Sequence, residues 1–122
     1  MSSHSAIIAG TGSYVPEKRL TNADLAKMVD TSDEWIVQRT GIRERRIAAS
    51  TGSTATMASH AATRAMKAAG VEAKNINLVI CATATPEMMF PSTGCFVAAS
   101  LGMGSTPAFD LCAYSSTSAK YI

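Results

Sequence analysis

The sequence lacks every segment that would place a protein in or across a membrane. None of its 122 residues belongs to a run near the roughly 20 apolar residues that span a bilayer. The first five residues contain no lysine or arginine, and the apolar run at residues 6–9 is too short for a signal peptide. We therefore expect a soluble protein of the cytoplasm with no membrane partner.

The sequence also lacks a large excess of positive or negative residues. Charged residues make up 16% of the chain, and the net charge of +2 is too small to indicate a polyanion as partner, so no nucleic-acid partner is predicted. The hydrophobic content of 47% is typical of a globular protein and not of a disordered one. A chain of this length fits one domain or one piece of a larger domain.

The cysteines and histidines form no group with metal-ligand spacing. Cys81, Cys95 and Cys112 lie far apart without a Cys-x-x-Cys pair, which argues against a zinc site or a disulfide framework and suits a reducing cytosol. His4 and His60 have no partner at a suitable spacing, so no metal is predicted. Cys81 and Cys95 fall in predicted buried elements and are interpreted as packing residues.

Hydrophobic periodicity predicts alternating strands and helices. Strands are predicted at residues 6–9, 78–82 and 107–111, and the continuous apolar run at 78–82 is typical of a strand covered on both faces. Helices are predicted over residues 53–69 and 92–101, and an extended excursion over residues 41–49. This order predicts an α/β fold with a mainly parallel sheet and helices on its faces. The sheet is incomplete, because only eleven residues follow the last strand.

Two further short helices are predicted in tandem from capping-box spacing. Thr21 precedes Asp24 by three residues, and Thr31 precedes Glu34 by three residues. Apolar residues follow each box at helical spacing, so Thr21 and Thr31 are the predicted caps.

A glycine-containing turn, Gly10-Thr11-Gly12, follows the first predicted strand. The third glycine of a dinucleotide-binding fingerprint would fall on Val15, and Pro16 follows it. We therefore reject a dinucleotide site and interpret the turn as structural.

Arginines form the only charge cluster, at positions 39, 43, 45 and 46. They could form a solvated face, with Glu44 pairing locally, or a phosphate site, because guanidinium groups match phosphate oxygens. Trp35 lies one helical turn before Arg39, so the two side chains share a face. An indole beside a guanidinium could sandwich a flat base and hold it next to phosphates.

Cys112 differs from the other cysteines because it follows a predicted strand and precedes a turn. A thiol at such a junction can lie at a helix N-terminus, where the dipole lowers the thiol pKa and favours thiolate. Inert packing is the other interpretation, and residue pattern alone leaves both open.

Taken together, several phrases resemble the start of β-ketoacyl-acyl-carrier-protein synthase III, a thiolase-fold condensing enzyme. The longest is DEWIVQRTGIRER at residues 33–45, and the others are GTGSYVP (10–16), TNADL (21–25), FPS (90–92) and PAFDL (107–111). The resemblance runs from Ile7 to Ala113. It implies that residues 1–122 are the N-terminal portion of a thiolase-like condensing-enzyme domain, in the first α/β half, whose C-terminal half is absent.

The resemblance implies an acyltransferase that starts type II fatty-acid synthesis. Such enzymes condense a short acyl-CoA, commonly acetyl-CoA, with malonyl-acyl-carrier protein. They are homodimers, and their reaction passes through an acyl-cysteine intermediate. Their substrate is a coenzyme A thioester, and they need no further cofactor. By position, Trp35 and Arg39 would grip the adenine and phosphates of coenzyme A, with Thr31 near the adenine. Phe90 matches a residue that reaches across the homodimer to shape the partner's acyl pocket.

The nucleophile position departs from the family pattern. In ungapped register the nucleophilic cysteine falls on Ser115, and Cys112 lies three residues too early. In a second register, residues from Tyr114 to Ile122 match later turns of the same helix, as if the cysteine segment were deleted. Neither register places a cysteine at the nucleophile position, so Ser115 and Cys112 are the candidate catalytic residues.

Two other hypotheses follow from this departure and from the arginine cluster. The chain could be a truncated, nucleophile-deficient homologue that lacks condensing activity and binds coenzyme A or a full-length partner. A nucleic-acid-binding module that uses the arginines is disfavoured by the small net charge. A serine hydroxyl ionises far less readily than a thiol, so Ser115 would be a poor nucleophile.

Overall fold

The computed structural model describes residues 5–112, which fall into two compact units. The smaller unit covers residues 15–52, and the larger unit comprises the described residues 5–14 and 53–112. In chain order the elements are β1 (Arg19–Thr21), α1 (Asn22–Leu25), α2 (Asp33–Thr40), β2 (Glu44–Arg46), α3 (Thr54–Ala69), a 3₁₀ turn (Ala73–Asn75), β3 (Val79–Ala82), α4 (Thr93–Ser100) and β4 (Ala108–Leu111).

The smaller unit is organised around a two-stranded antiparallel sheet. Strands β1 and β2 pair with Leu20 opposite Arg45. The predicted capping box of α1 is confirmed, because the Thr21 side chain accepts from the Asp24 amide and the Asp24 side chain accepts from the Thr21 amide. The extended excursion is also confirmed as β2, but its pairing with β1 was not predicted, because two three-residue strands leave no periodic signal.

A buried asparagine joins the parts of the smaller unit. Asn22 is only 1% exposed, and its amide nitrogen donates to Asp33 Oδ1 at 2.7 Å and to the Ile42 carbonyl at 2.8 Å. The Arg45 guanidinium donates to Asn22 Oδ1. Because a buried amide without partners is costly, these bonds fix the two helices against the sheet.

Helix α2 begins one residue later than the sequence predicted. Ser32, and not Thr31, is the N-cap, since the Ser32 hydroxyl accepts from the Trp35 amide at 3.2 Å. Both residues carry a hydroxyl, and the box from Thr31 to Glu34 was therefore the wrong choice between adjacent candidates. Gly41, with a φ of 70°, ends the helix in the left-handed conformation.

The larger unit contains a β–α–β arrangement. Strands β3 and β4 are parallel, with Val79 opposite Ala108, and α4 lies between them in sequence. These strands and the helices α3 and α4 confirm the predicted order, with Ser53 capping α3 and Gly70 ending it. Gly94 lets α4 approach the sheet, since an added Cβ would lie 3.1 Å from the Phe109 carbonyl oxygen.

The strand predicted at residues 6–9 is wrong. These residues belong to no strand, and Ile7 and Ile8 are 86% and 87% exposed. An apolar run becomes a strand only when a neighbouring strand accepts its backbone hydrogen bonds, and the described residues provide no such neighbour. The turn that follows is structural, as predicted, because Gly10 and Gly12 lie directly against the backbone of α3.

Burial is limited in the described residues. The buried apolar side chains are Ile36 in the smaller unit and Val97, Ala98 and Met103 in the larger unit. The prediction that the strand at 78–82 is covered on both faces is wrong, since Ile80 remains 52% exposed. No helix within residues 5–112 is long and apolar enough to cross a membrane.

Candidate functional site

An exposed tryptophan and an arginine stack on helix α2. The Arg39 Cζ atom lies 4.6 Å from the centroid of the Trp35 ring, and Trp35 is 53% exposed. The shared face predicted from the spacing is therefore confirmed, and the contact is a cation–π interaction. In this conformation the guanidinium lies over one face of the indole, and the sandwich of a flat base between the two side chains stays a prediction. Because Trp35 is still 53% exposed, a flat base could stack on the free part of the indole or take the place of the Arg39 side chain.

The remaining arginines of the cluster divide into two groups. The Arg45 guanidinium donates to the side chain of Asn22, and Arg46 donates to the Pro16 carbonyl and pairs with Glu44 at 3.1 Å. These contacts confirm local pairing with Glu44. Arg39 and Arg43 are the exposed members, so they are the ones available to a phosphate group. Thr31 is half-buried and lies just before the α2 cap.

Phe90 lies in the segment between β3 and α4. It is 88% exposed, and Met89 beside it is 98% exposed. The Phe90–Pro91 peptide bond is cis, and Ser92 immediately caps α4. An aromatic side chain presented in this way has most of its surface free for contact with another molecule.

Two carboxylates meet the N-terminal end of α4, and sequence reasoning identified neither. Asp110, in β4, accepts from the backbone amides of Thr93 and Gly94, each at 2.7 Å. Glu87 accepts from the Thr93 hydroxyl at 3.0 Å. Partial burial acts to raise the pKa of Asp110, but the hydrogen bonds from Gly94 and Thr93 hold that pKa below its ordinary value. The one signal in the sequence is the placement of an acidic residue within an apolar strand.

The candidate nucleophiles are only partly described. Cys112 is exposed directly after β4, where the sequence placed it, and Ser115 lies outside the described residues. Cys95 was interpreted as a packing residue, but it is exposed and its sulfur accepts from the Ser92 hydroxyl at 3.2 Å. Burial, followed by the negative charges of Asp110 and Glu87, raises the pKa of the Cys81 thiol and disfavours its thiolate.

A cavity of about 660 Å³ lies in the larger unit, lined by residues of α3 and α4 together with Glu87 and Met88. His60 also lines it and stacks on Tyr14, with ring centroids 4.8 Å apart. Within residues 5–112, no three histidine, cysteine, aspartate or glutamate side chains come together as a metal-binding group.

Comparisons with known proteins identify the class to which this arrangement belongs. The 3-oxoacyl-acyl-carrier-protein synthase III structure from Aquifex aeolicus superposes with a TM-score of 0.83 at 50% identity, covering 87% of this chain and 34% of that one. The corresponding Thermus thermophilus structure gives a TM-score of 0.81 at 42% identity, covering 88% and 33%. The described residues therefore have part of the thiolase-like fold of condensing enzymes.

The curated relatives name the particular family. β-Ketoacyl-acyl-carrier-protein synthase III of Laribacter hongkongensis is 56% identical over 106 residues, which cover 87% of this chain and 33% of the relative. The Escherichia coli O9:H4 protein of the same name gives the same values. No family model matches the chain. The resemblance seen in the sequence is confirmed, since the chain is homologous to β-ketoacyl-acyl-carrier-protein synthase III and spans about one third of the length of these relatives.

Proposed function

We propose that the chain is part of an acyltransferase that initiates type II fatty-acid synthesis. It condenses a short acyl-CoA, with acetyl-CoA as the expected donor, with malonyl-acyl-carrier protein to give 3-oxoacyl-acyl-carrier protein. The observation that carries this proposal is the 56% identity to β-ketoacyl-acyl-carrier-protein synthase III across 87% of the chain. We place the enzyme in the cytoplasm as a homodimer that uses the coenzyme A thioester as substrate and no further cofactor.

The chemistry proceeds through an acyl-enzyme. A thiolate attacks the acyl-CoA carbonyl and forms a new thioester, and the coenzyme A thiolate leaves. The malonyl thioester then loses CO₂, and the resulting carbanion attacks the acyl-cysteine carbonyl. The enzyme thiolate leaves and the carbon–carbon bond of the 3-oxoacyl product is formed. Hydrogen-bond donors from a histidine and an asparagine of the family would stabilise the developing negative charge.

The α2 surface is the proposed grip on coenzyme A. Trp35 offers an exposed aromatic face, and Arg39 and Arg43 offer exposed guanidinium groups. An adenine would stack on the indole while Arg39 turns toward a phosphate, so that a charge-assisted hydrogen bond replaces the cation–π contact. Thr31, just before this helix, would lie near the adenine.

Phe90 is the proposed contribution of this chain to the acyl pocket of a second subunit. Its exposure of 88% supports this role, because a side chain that completes a neighbouring site must extend away from its own unit. The length of the acyl group accepted would then depend on how firmly the backbone holds Phe90.

A second candidate function follows from the residue at the nucleophile position. Because neither register of the sequence places a cysteine at the nucleophile position, and the ungapped one places Ser115 there, the chain could bind coenzyme A or a full-length partner without condensing. Labelling with radioactive acetyl-CoA and mapping the adduct separates the alternatives. An adduct on Cys112 or Ser115 identifies the nucleophile, and the absence of both leaves the binding function.

Coenzyme A binding by α2 is tested by fluorescence, because Trp35 is the only tryptophan in the chain. Titration with coenzyme A is expected to quench its emission in a saturable manner. Arg39→Ala should weaken binding about tenfold, since it removes a charge-assisted contact to phosphate. Arg64→Ala is the matched control, because Arg64 also stacks on an aromatic ring, that of Tyr14 at 5.7 Å, but lies outside α2. Equal losses in both variants, or no saturable quenching, would overturn the assignment.

A further inference from the structure

The segment that carries Phe90 is held at one side by a single glutamate. Residues 83–92 connect β3 to α4, and Glu87 lies three positions before Phe90. Glu87 Oε1 accepts from the Ala55 amide in the first turn of α3, and Oε2 accepts from the Thr93 hydroxyl at the start of α4. One side chain therefore joins the N-terminal ends of two helices to the connecting segment.

A second contact fixes the same segment to α3. The Thr54 hydroxyl donates to the Thr85 carbonyl at 3.0 Å. Thr93 is only 1% exposed, and its hydroxyl donates to Glu87 Oε2 at 3.0 Å. The charge of Glu87 also lies where both helix dipoles are positive, and a carboxylate is favoured there over an uncharged side chain. After Glu87, the next side-chain hydrogen bond along the described segment is made by Ser92, which caps α4.

We propose that Glu87 is the positioning residue for Phe90: its carboxylate bridge between α3 and α4 fixes the backbone from which Phe90 extends, and so contributes to the choice of acyl chain. The part of this assignment that concerns acyl choice rests on the proposed function of Phe90. The role assigned to Glu87 is positioning and requires no contact between Glu87 and substrate.

Glu87 is an exposed residue. Desolvation of its carboxylate acts to raise the pKa of Glu87, but hydrogen bonds from the Ala55 amide, its own amide, Ser53 and Thr93 hold that pKa below its ordinary value. The carboxylate therefore stays ionised through the neutral range, and the bridge is present under ordinary conditions.

The bridge is tested first by hydrogen exchange in the full chain, followed by mass spectrometry. In Glu87→Ala, exchange of the Ala55 amide is expected to rise about tenfold, because this amide loses its charged acceptor. Exchange of the Thr85 amide, which is hydrogen-bonded within the segment, should rise with it. Exchange of the β4 peptide should be unchanged. Glu87→Gln should largely rescue protection, since its amide can accept from Ala55 and still bond the Thr93 hydroxyl. Glu72→Ala is the matched control, because Glu72 pairs only with Lys74 on the surface.

Two exchange results would overturn the bridge. One is unchanged protection of the Ala55 and Thr85 amides in Glu87→Ala. The other is an equal rise in the β4 peptide, which would mean general loss of stability and no positioning. Thr93→Val completes a double-mutant cycle with Glu87→Ala. If Glu87 acts through Thr93, amide exchange in the double variant should be little faster than in Glu87→Ala alone.

Acyl choice is tested by affinity ratios for hexanoyl-CoA and acetyl-CoA. Glu87→Ala is expected to change this ratio about threefold or more while leaving the affinity for free coenzyme A unchanged, because the Trp35 surface is not altered. If the unsubstituted chain does not distinguish the two thioesters, the proposed role of Phe90 fails, whereas the exchange result still decides whether Glu87 positions the segment. If the unsubstituted chain does distinguish the two thioesters and Glu87→Ala leaves the affinity ratio unchanged, Glu87 has no positioning role in acyl choice.

Discussion

Helices α2 and α4 are both eight residues long, yet their N-terminal ends are stabilised in opposite ways. Helix α2 has its own acidic residues in the first turn, Asp33 and Glu34, and a serine cap. Helix α4 also has a serine cap but no acidic residue in its first turn. Its negative charges come from Asp110 in β4 and from Glu87 in the preceding segment. The first helix is stabilised locally, and the second is stabilised by the fold around it.

This difference matches what the two helices expose. Helix α2 buries only Ile36 and presents Trp35 and Arg39, as a binding surface requires. Helix α4 buries Thr93 and Val97 and packs into the β–α–β unit. A helix that must pack on a sheet can receive its capping charge from that sheet, whereas a surface helix has to supply its own.

Replacing Asp110 should have the largest effect. Asp110→Ala removes the acceptor of two backbone amides and is expected to lower the free energy of unfolding by about 2 kcal/mol, measured by urea denaturation. Asp30→Ala, which removes an exposed aspartate, is the control. A loss in Asp110→Ala no larger than in the control would show that α4 does not depend on the charge from β4.

Removing the two serine caps should lower the free energy of unfolding by smaller and unequal amounts. Ser32→Ala is expected to destabilise by about 1 kcal/mol, because no distant group can replace its hydroxyl at the Trp35 amide. Ser92→Ala should cost about half as much, because Asp110 continues to hold the neighbouring amides of Thr93 and Gly94. The two variants are compared by urea denaturation of the same chain. Equal losses would contradict the distinction between local and distant capping.

Acid should affect the two helix ends differently, and this is the smallest expected effect. The pKa values of Asp110 and Glu87 are lowered in the folded protein, so their stabilisation is fully present above the ordinary carboxyl values and is lost as pH falls through the lowered ones. The Thr93 and Gly94 amides should therefore lose exchange protection as pH falls below the ordinary carboxyl pKa values, before the Trp35 amide, whose acceptor is the Ser32 hydroxyl. Amide exchange measured by NMR in steps of about one pH unit between about pH 3 and pH 6 checks which helix end loses protection first. Simultaneous loss at both ends would contradict it.

Local chemistry explains what could be predicted from the sequence. Thr21 and Asp24 act within their own helix, and the capping box that they form was predicted from their spacing. The parallel pairing of β3 with β4 followed from the alternation of elements. The position of Trp35 one turn before Arg39 placed the two side chains on one face, as helical geometry requires.

Distant contacts explain what could not be predicted. Asp110 and Glu87 reach α4 from 16 or 17 residues away and from six residues away, and no spacing rule connects them. The choice between Thr31 and Ser32 depended on backbone angles that both residues could adopt. The exposure of Ile7 and Ile8 depended on the absence of a neighbouring strand within the described residues, which a local apolar pattern does not reveal.

The contact between Gly12 and α3 has a consequence for how such turns are recognised. A Cβ at Gly12 would overlap the backbone of Ala61 and Ala65, and one at Gly10 would lie 2.7 Å from the Ala65 carbonyl oxygen. In nucleotide-binding turns the missing glycine side chains leave room for a phosphate. Here helix α3 occupies that room. The two glycines therefore allow close packing of the turn against α3, and a Gly-x-Gly pattern can indicate a tight helix contact within the fold as well as a phosphate site.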